Sequence, residues 1–272
     1  MMIVDAQIHL WAKGTPSAHH RQTPFLKEEA LALMDEAGVD RAVVHPVLWD
    51  PDSNELAVEA ARAHPDRFAI MGWFYLDDPK ERAKLETWKS RPGMKGLRFY
   101  FSDPRSLTWA DDGNLDWLLP EAERLGIPVS LQASAFLPRV AELAERYPRL
   151  RISVDHMGVP RTTVGAGEAY RNLPQLLALA KHPNVAVKAT GQAGYALDAY
   201  PFRSIHDALH QVFDAFGPRR MFWGTDITRM HCTWRQCITL FTEELPWLKG
   251  ADLDLVMGQA WCDWIGWDTA RS

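Results

Sequence analysis

Three polar side chains alternate within an otherwise apolar opening segment, Ile3-Val4-Asp5-Ala6-Gln7-Ile8-His9-Leu10. Alternate residues of a strand point the same way, so Asp5, Gln7 and His9 share one face where the strand leaves the core. Polar groups there cost free energy unless they bind something, and strand C-terminal ends are where α/β barrels keep their chemistry. The segment Arg220-Met221-Phe222-Trp223-Gly224-Thr225-Asp226 repeats the pattern, apolar until a carboxylate. A carboxylate beside cations stays ionised, so Asp226 has the chemistry of a general base or a metal ligand. His156, in Val154-Asp155-His156-Met157-Gly158, has the type to ligate a metal or polarise a carbonyl. Either segment alone could also be a strand ending in a hydrogen-bonded turn; the two together point to an enzyme.

Further candidates follow from strand ends. Arg98 and Lys95 are three apart in Lys95-Gly96-Leu97-Arg98, so on a regular strand they face opposite ways. Arg98 is taken as the inward one, because its planar guanidinium suits two-pronged carboxylate recognition. Lys188 ends the apolar run Val185-Ala186-Val187 and either reaches the site or pairs internally. Gln132 ends the fifth strand, and His45 the second. Arg229 and Trp234 follow the eighth strand, a placement suited to a substrate wall or to packing. His19 and His20 read as surface-loop residues, and His64 and His182, each before a proline, as caps or surface groups. His206 and His210 share a helix face but lack the glutamate of a His-Glu-x-x-His site, and read as solvated. No Gly-x-Ser-x-Gly elbow, phosphate-binding loop or zinc-ribbon cysteine spacing occurs, which removes serine hydrolases, nucleotide hydrolases and zinc fingers.

Positioning these residues requires repeated βα units. Strands are expected at Ile3–Gln7, Arg41–His45, Phe68–Trp73, Met94–Phe99, Pro128–Gln132, Arg151–Asp155, Val185–Ala189 and Met221–Gly224. Between them lie helical patterns at Lys27–Ala37, Ser53–Ala63, Lys80–Ser90, Leu115–Leu125, Arg139–Tyr147, Asn172–Lys181 and Ile205–Phe216, with Leu253–Trp267 as a closing helix. Gly or Pro stands where helices must stop, as at Gly38, Gly126 and Gly217-Pro218. The expectation is a (β/α)8 TIM barrel, one α/β domain spanning residues 1–272. An open doubly wound sheet is the competing fold, but no Gly-x-Gly-x-x-Gly follows the first strand.

Composition narrows the partners. The 272 residues carry a formal charge of -5 and no long basic run, so neither nucleic acid nor an anionic membrane is implied. A small-molecule substrate is the expected partner; homo-oligomers stay open, since no feature marks an interface. Three cysteines without pairing spacing, no leader pattern and no apolar run long enough to span a bilayer read as a cytoplasmic protein.

The motifs in order resemble the amidohydrolase superfamily, in the amidohydrolase-related branch that contains lactonases of sugar acids and of aromatic-ring-cleavage products. The carriers are Val4-Asp5-Ala6-Gln7-Ile8-His9-Leu10-Trp11, Lys95-Gly96-Leu97-Arg98-Phe99, Val154-Asp155-His156-Met157-Gly158, Trp223-Gly224-Thr225-Asp226 and Val256-Met257-Gly258 with Trp264-Ile265-Gly266-Trp267. Members usually open with His-x-His, which binds a divalent metal with a later histidine and the eighth-strand aspartate. This chain has Gln7 at the first of those histidines and Gln132 where many relatives place another. A tight binuclear centre is therefore not expected, since an amide oxygen is a poor zinc ligand. The resemblance implies either no metal or one divalent ion, zinc or manganese, on His9, His156 and Asp226.

The function so implied is hydrolysis of a small carboxylated or hydroxylated lactone. Asp226 would activate water, His156 and His9 stabilise the oxyanion, Arg98 hold a substrate carboxylate, and Gln7 and Gln132 add hydrogen bonds. A metal-dependent nonoxidative decarboxylase of aromatic acids and a noncatalytic ligand-binding barrel are the alternatives.

Overall fold

Eight short β-rich runs, buried almost throughout, pair in parallel in chain order. They are β1 (Val4–Ile8), β2 (Arg41–Val44), β3 (Phe68–Gly72), β4 (Met94–Tyr100), β5 (Val129–Gln132), β6 (Ile152–Val154), β7 (Val185–Thr190) and β8 (Met221–Gly224). The computed structural model describes residues 1–101, 108–109, 111–160 and 165–268. Helices cross between the strands, and the architecture is the expected (β/α)8 barrel.

The seam between β8 and β1 is closed by the strands' own polar residues. Asp5 accepts from the Thr225 backbone N–H (2.9 Å), the Thr225 hydroxyl (2.5 Å) and the Trp234 indole N–H (2.9 Å). One residue further on, the Asp226 N–H donates to the Gln7 carbonyl oxygen at 2.9 Å. Asp5 is thus spent on closure, whereas Gln7 and His9 go on to the site. Burial pushes the Asp5 carboxyl up to about 6, although its hydrogen bonds oppose the shift.

Alternation divides the strand residues between two apolar regions. Val4, Ala6, Val43, Ala69, Met71, Ala186 and Phe222 fill the barrel interior and meet Trp261, Cys262 and Ile265 from the closing segment. A larger cluster lies between the strands and the surrounding helices. Gly258 permits the closing segment to approach, since a Cβ there would stand 2.7 Å from Val4 Cγ2 and 2.8 Å from the Met2 carbonyl oxygen.

The helices differ from expectation in detail. Lys80–Ser90 forms a single turn at Pro79–Arg82 followed by two 3-10 turns. The closing helix is Gly250–Asp254 and Ala260–Ile265, joined by a π turn at Leu255–Gln259 that contains Gly258. A further helix at Trp234–Thr242, not anticipated, starts at a capping box in which Thr233 and Gln236 satisfy each other's backbone donors. No helix among the described residues is long and apolar enough to cross a membrane.

Candidate active site

Two residues beyond the ends of β6 and β8, the backbone enters the left-handed region: His156 at φ 54° and Asp226 at φ 52°. Such backbone costs of order 1–3 kcal/mol for a residue with a side chain and persists where the surroundings impose it. Here it turns both side chains toward the barrel axis. His9 leaves the end of β1 beside them, and the three are nearly inaccessible, at 3% (His9), 5% (His156) and 2% (Asp226) exposure.

Fixed acceptors set the proton positions. His9 Nδ1 lies 2.5 Å from the His45 carbonyl oxygen, which can only accept, so this nitrogen carries a proton and Nε2 faces Asp226 Oδ1 at 3.1 Å. His156 Nδ1 is held by the Thr190 carbonyl (3.1 Å) and hydroxyl (2.8 Å), which leaves its Nε2 to accept from the Gln7 amide at 3.1 Å. His20 arrives from the loop after β1 and places Nδ1 2.8 Å from the Thr228 hydroxyl. Burial drives His156 down to about 3 and His20 to about 2, so both are neutral near pH 7. Burial alone would raise the Asp226 carboxyl, but His9, His20 and Arg229 hold it well below the usual carboxylate range. Arg229 Nη1 stands 3.4 Å from Asp226 Oδ2 and 3.3 Å from the Tyr195 hydroxyl.

Beneath these groups lies a buried polar network. Lys188, wholly inaccessible, contacts Asp155 Oδ1 at 2.7 Å and donates to Gln7 Oε1 at 2.7 Å. Arg98 Nε donates to the other Asp155 oxygen at 2.7 Å. The two cations hold Asp155 far below its ordinary range against the effect of burial.

The cleft above is lined by His9, His20, His156 and Asp226, by Arg98, Gln132 and Arg229, and by His19, Val47, Trp49 and Tyr100. Of the residues anticipated from sequence, His9, His156, Asp226, Arg98, Gln132 and Arg229 meet here. Arg98 faces the cleft while Lys95 turns away and reaches the Gly266 carbonyl, as strand alternation requires. Gln7 and Lys188 lie below the lining rather than in it. Trp234 is also absent from the lining, because its indole serves the Asp5 seam.

His20 corrects the surface-loop expectation: it is 7% exposed and stands in the site. Its partner Thr228 is 208 residues away, so no local pattern could announce the contact. His19 is half-buried and also lines the cleft. Trp49 was equally invisible; only its aromatic type, on a loop after β2, hinted at a wall.

The donor set fits one divalent cation. Among the described residues, ligand atoms of His9, His20 and Asp226 all lie within 4.8 Å of one another. Asp226 Oδ1 is buried without a hydrogen-bond partner, and the outer ring nitrogens of both histidines are tied to fixed oxygens, the arrangement that orients imidazole ligands. This grouping has His20 where the sequence suggested His156, whose Nε2 accepts from the Gln7 amide and stands 3.8 Å from Asp226 Oδ2.

Comparison with known proteins gives a family model described as amidohydrolase that matches residues 4–272. An L-fucono-1,5-lactonase of Burkholderia ambifaria is 28% identical over 234 residues, which cover 82% of this chain and 79% of that protein. A zinc-bound amidohydrolase from Burkholderia multivorans superposes with a TM-score of 0.82 at 19% identity, over 98% of this chain and 99% of that one. A probable 2-pyrone-4,6-dicarboxylic acid hydrolase from Acinetobacter baumannii, with citric acid bound, gives 0.77 at 17% identity, over 98% and 100%.

Proposed function

Because the chain belongs to the amidohydrolase family, we propose that it hydrolyses a small lactone, with Asp226 as the group that takes the proton from attacking water. The observation that carries this reading is a buried carboxylate lining the cleft, flanked by His9 at 3.1 Å, His156 at 3.8 Å and Arg229 at 3.4 Å. The lactonase name of the Burkholderia ambifaria relative supports the substrate class.

Each residue then has a task. Asp226 accepts a proton as water adds to the ester carbonyl, a step general bases accelerate by about 10²–10⁴. The Arg229 guanidinium stands beside that carboxylate and supplies N–H donors where the carbonyl oxygen gains charge. His9 and His156 both turn Nε2 toward Asp226, and in this reading they position the carboxylate and the attacking water. Arg98 and Gln132, on the opposite wall, bind substrate carboxylate or hydroxyl groups, and Trp49 offers a flat apolar face. A zinc or manganese ion, held by His9, His20 and Asp226, would acidify water and polarise the carbonyl when bound. The three free thiols fit a reducing, cytoplasmic setting.

The test is a panel of sugar and pyrone lactones assayed for ring opening with wild type and Asp226→Asn. We expect turnover in the wild type and a loss of about 10²-fold or more in the variant. Full activity in Asp226→Asn overturns the role of Asp226. Release of carbon dioxide from aromatic acids, with no lactone opened, overturns the reaction class.

A further inference from the structure

Lys188 is the most deeply buried cation of the described structure, and the chemistry above does not use it. Its ammonium is wholly inaccessible and too far down the barrel to line the cleft. Below it stands the Trp261 ring, with Nζ 5.8 Å from the ring centroid. Around it are Asp155 Oδ1 at 2.7 Å, Gln7 Oε1 at 2.7 Å and His45 Nε2 at 3.3 Å. Burying a lysine costs several kcal/mol unless its partners repay it. The cost shows in the amine itself, which burial drives down to about 8 despite the Asp155 charge.

What that arrangement achieves is visible one residue higher. A primary amide is nearly symmetric in shape, and its two ends differ only in hydrogen-bond sense. The ammonium can only donate, so it fixes the oxygen end of Gln7 toward itself. The NH2 end must then point up, where it meets His156 Nε2 at 3.1 Å and His9 Nε2 at 3.5 Å. His156 Nδ1 is already committed to an acceptor, so its Nε2 can receive that N–H. The reverse orientation would aim the amide oxygen at these two ring nitrogens and leave Lys188 facing an NH2 group.

We propose that Lys188 is a positioning residue acting through Gln7: clamped by Asp155, it sets the amide orientation that holds His156 in place beside Asp226. This goes beyond the lactonase reading, on which it depends only for its kinetic readout. Arg98 completes the clamp from the other side of Asp155, so removing the Lys188 charge does not strip that carboxylate of every partner.

The experiment compares Lys188→Met, Gln7→Met and the double variant. Each single change should lower kcat by on the order of ten- to a hundredfold, as displaced catalytic groups do, with KM within about threefold of wild type. The double variant should be no slower than the slower single one, since either change alone breaks the same link. In protein labelled with 15N-histidine, the His156 Nε2 resonance should move in Gln7→Met and move likewise in Lys188→Met, with no further change in the double. This second readout needs no substrate, so it tests the positioning role even if no lactone is turned over. Losses in kcat that multiply in the double variant overturn the proposal, as does an unmoved His156 resonance in Lys188→Met. Gln7→Met leaves the Lys188–Asp155–Arg98 ion pairs in place; if Lys188→Met does not fold, an unmoved His156 resonance in Gln7→Met overturns the proposal on its own.

Discussion

His9 Nε2 and Asp226 Oδ1 stand 3.1 Å apart, and the proton of His9 that can be placed lies on the opposite ring nitrogen, against the His45 carbonyl. Two lone pairs do not face each other at that distance without something between them; a shared proton or a cation bound by both satisfies the pair. His20 stands with its ring centroid 5.2 Å from that of His9 and adds a third donor on the same side.

One equivalent of zinc should therefore bind to chelator-treated protein and raise its melting temperature. His20→Ala should abolish that shift, whereas His156→Ala, whose ring is engaged by Gln7, should keep most of it. Equal losses in the two variants would restore the ligand set expected from sequence.

Thr228 orients His20 through a 2.8 Å hydrogen bond to Nδ1. Thr228→Val keeps the shape and removes the oxygen. Zinc affinity, measured by competition with a chromophoric chelator, should fall about 10- to 100-fold, the usual cost of losing such an outer partner. An unchanged affinity would show that His20 is held by packing alone.

Trp234→Phe separates the seam from the substrate wall. The indole N–H is one of the donors on the buried Asp5 carboxyl, so its loss should destabilise the protein by about 1–3 kcal/mol in urea unfolding. KM should be unchanged. A raised KM with wild-type stability would return Trp234 to the substrate wall.

Stability should fall on acidification below neutrality. His20 and His156 are driven to about 2 and 3 by burial, and burial, with Lys188 and Arg98 nearby, takes His45 well below 6.5. As pH drops through about 6.5 the unfolded chain takes up protons that the native state refuses, which favours unfolding. Asp5 acts in the opposite sense, since it is raised to about 6 and binds its proton in the native state first. Three histidines against one carboxyl leave a net loss of stability as the pH falls from 6 toward 4. Urea midpoints of chelator-treated protein across that range check the sign; a flat profile would mean that the histidines protonate in place.

All eight strands and most helices were legible because their signals are local: short β-rich runs, amphipathic stretches and Gly or Pro stops. Helix Trp234–Thr242 was missed although its Thr233–Gln236 capping box is a local start signal. In the site, His9, His156, Asp226, Arg98, Gln132 and Arg229 could be found because strand ends of a barrel share one mouth. His20 could not, since its loop position says nothing until Thr228 is brought against it.

By itself, then, the sequence determined the barrel and the residues at its catalytic end, because strand alternation and chain order are properties of a one-dimensional pattern. Only the tertiary structure decided what each polar group does there. Asp5 went to the seam, Lys188 to the Gln7 amide and Trp234 to Asp5, while His20 came into the cleft. Hydrogen-bond sense and burial settle such roles, and both depend on neighbours tens to hundreds of residues away in the chain.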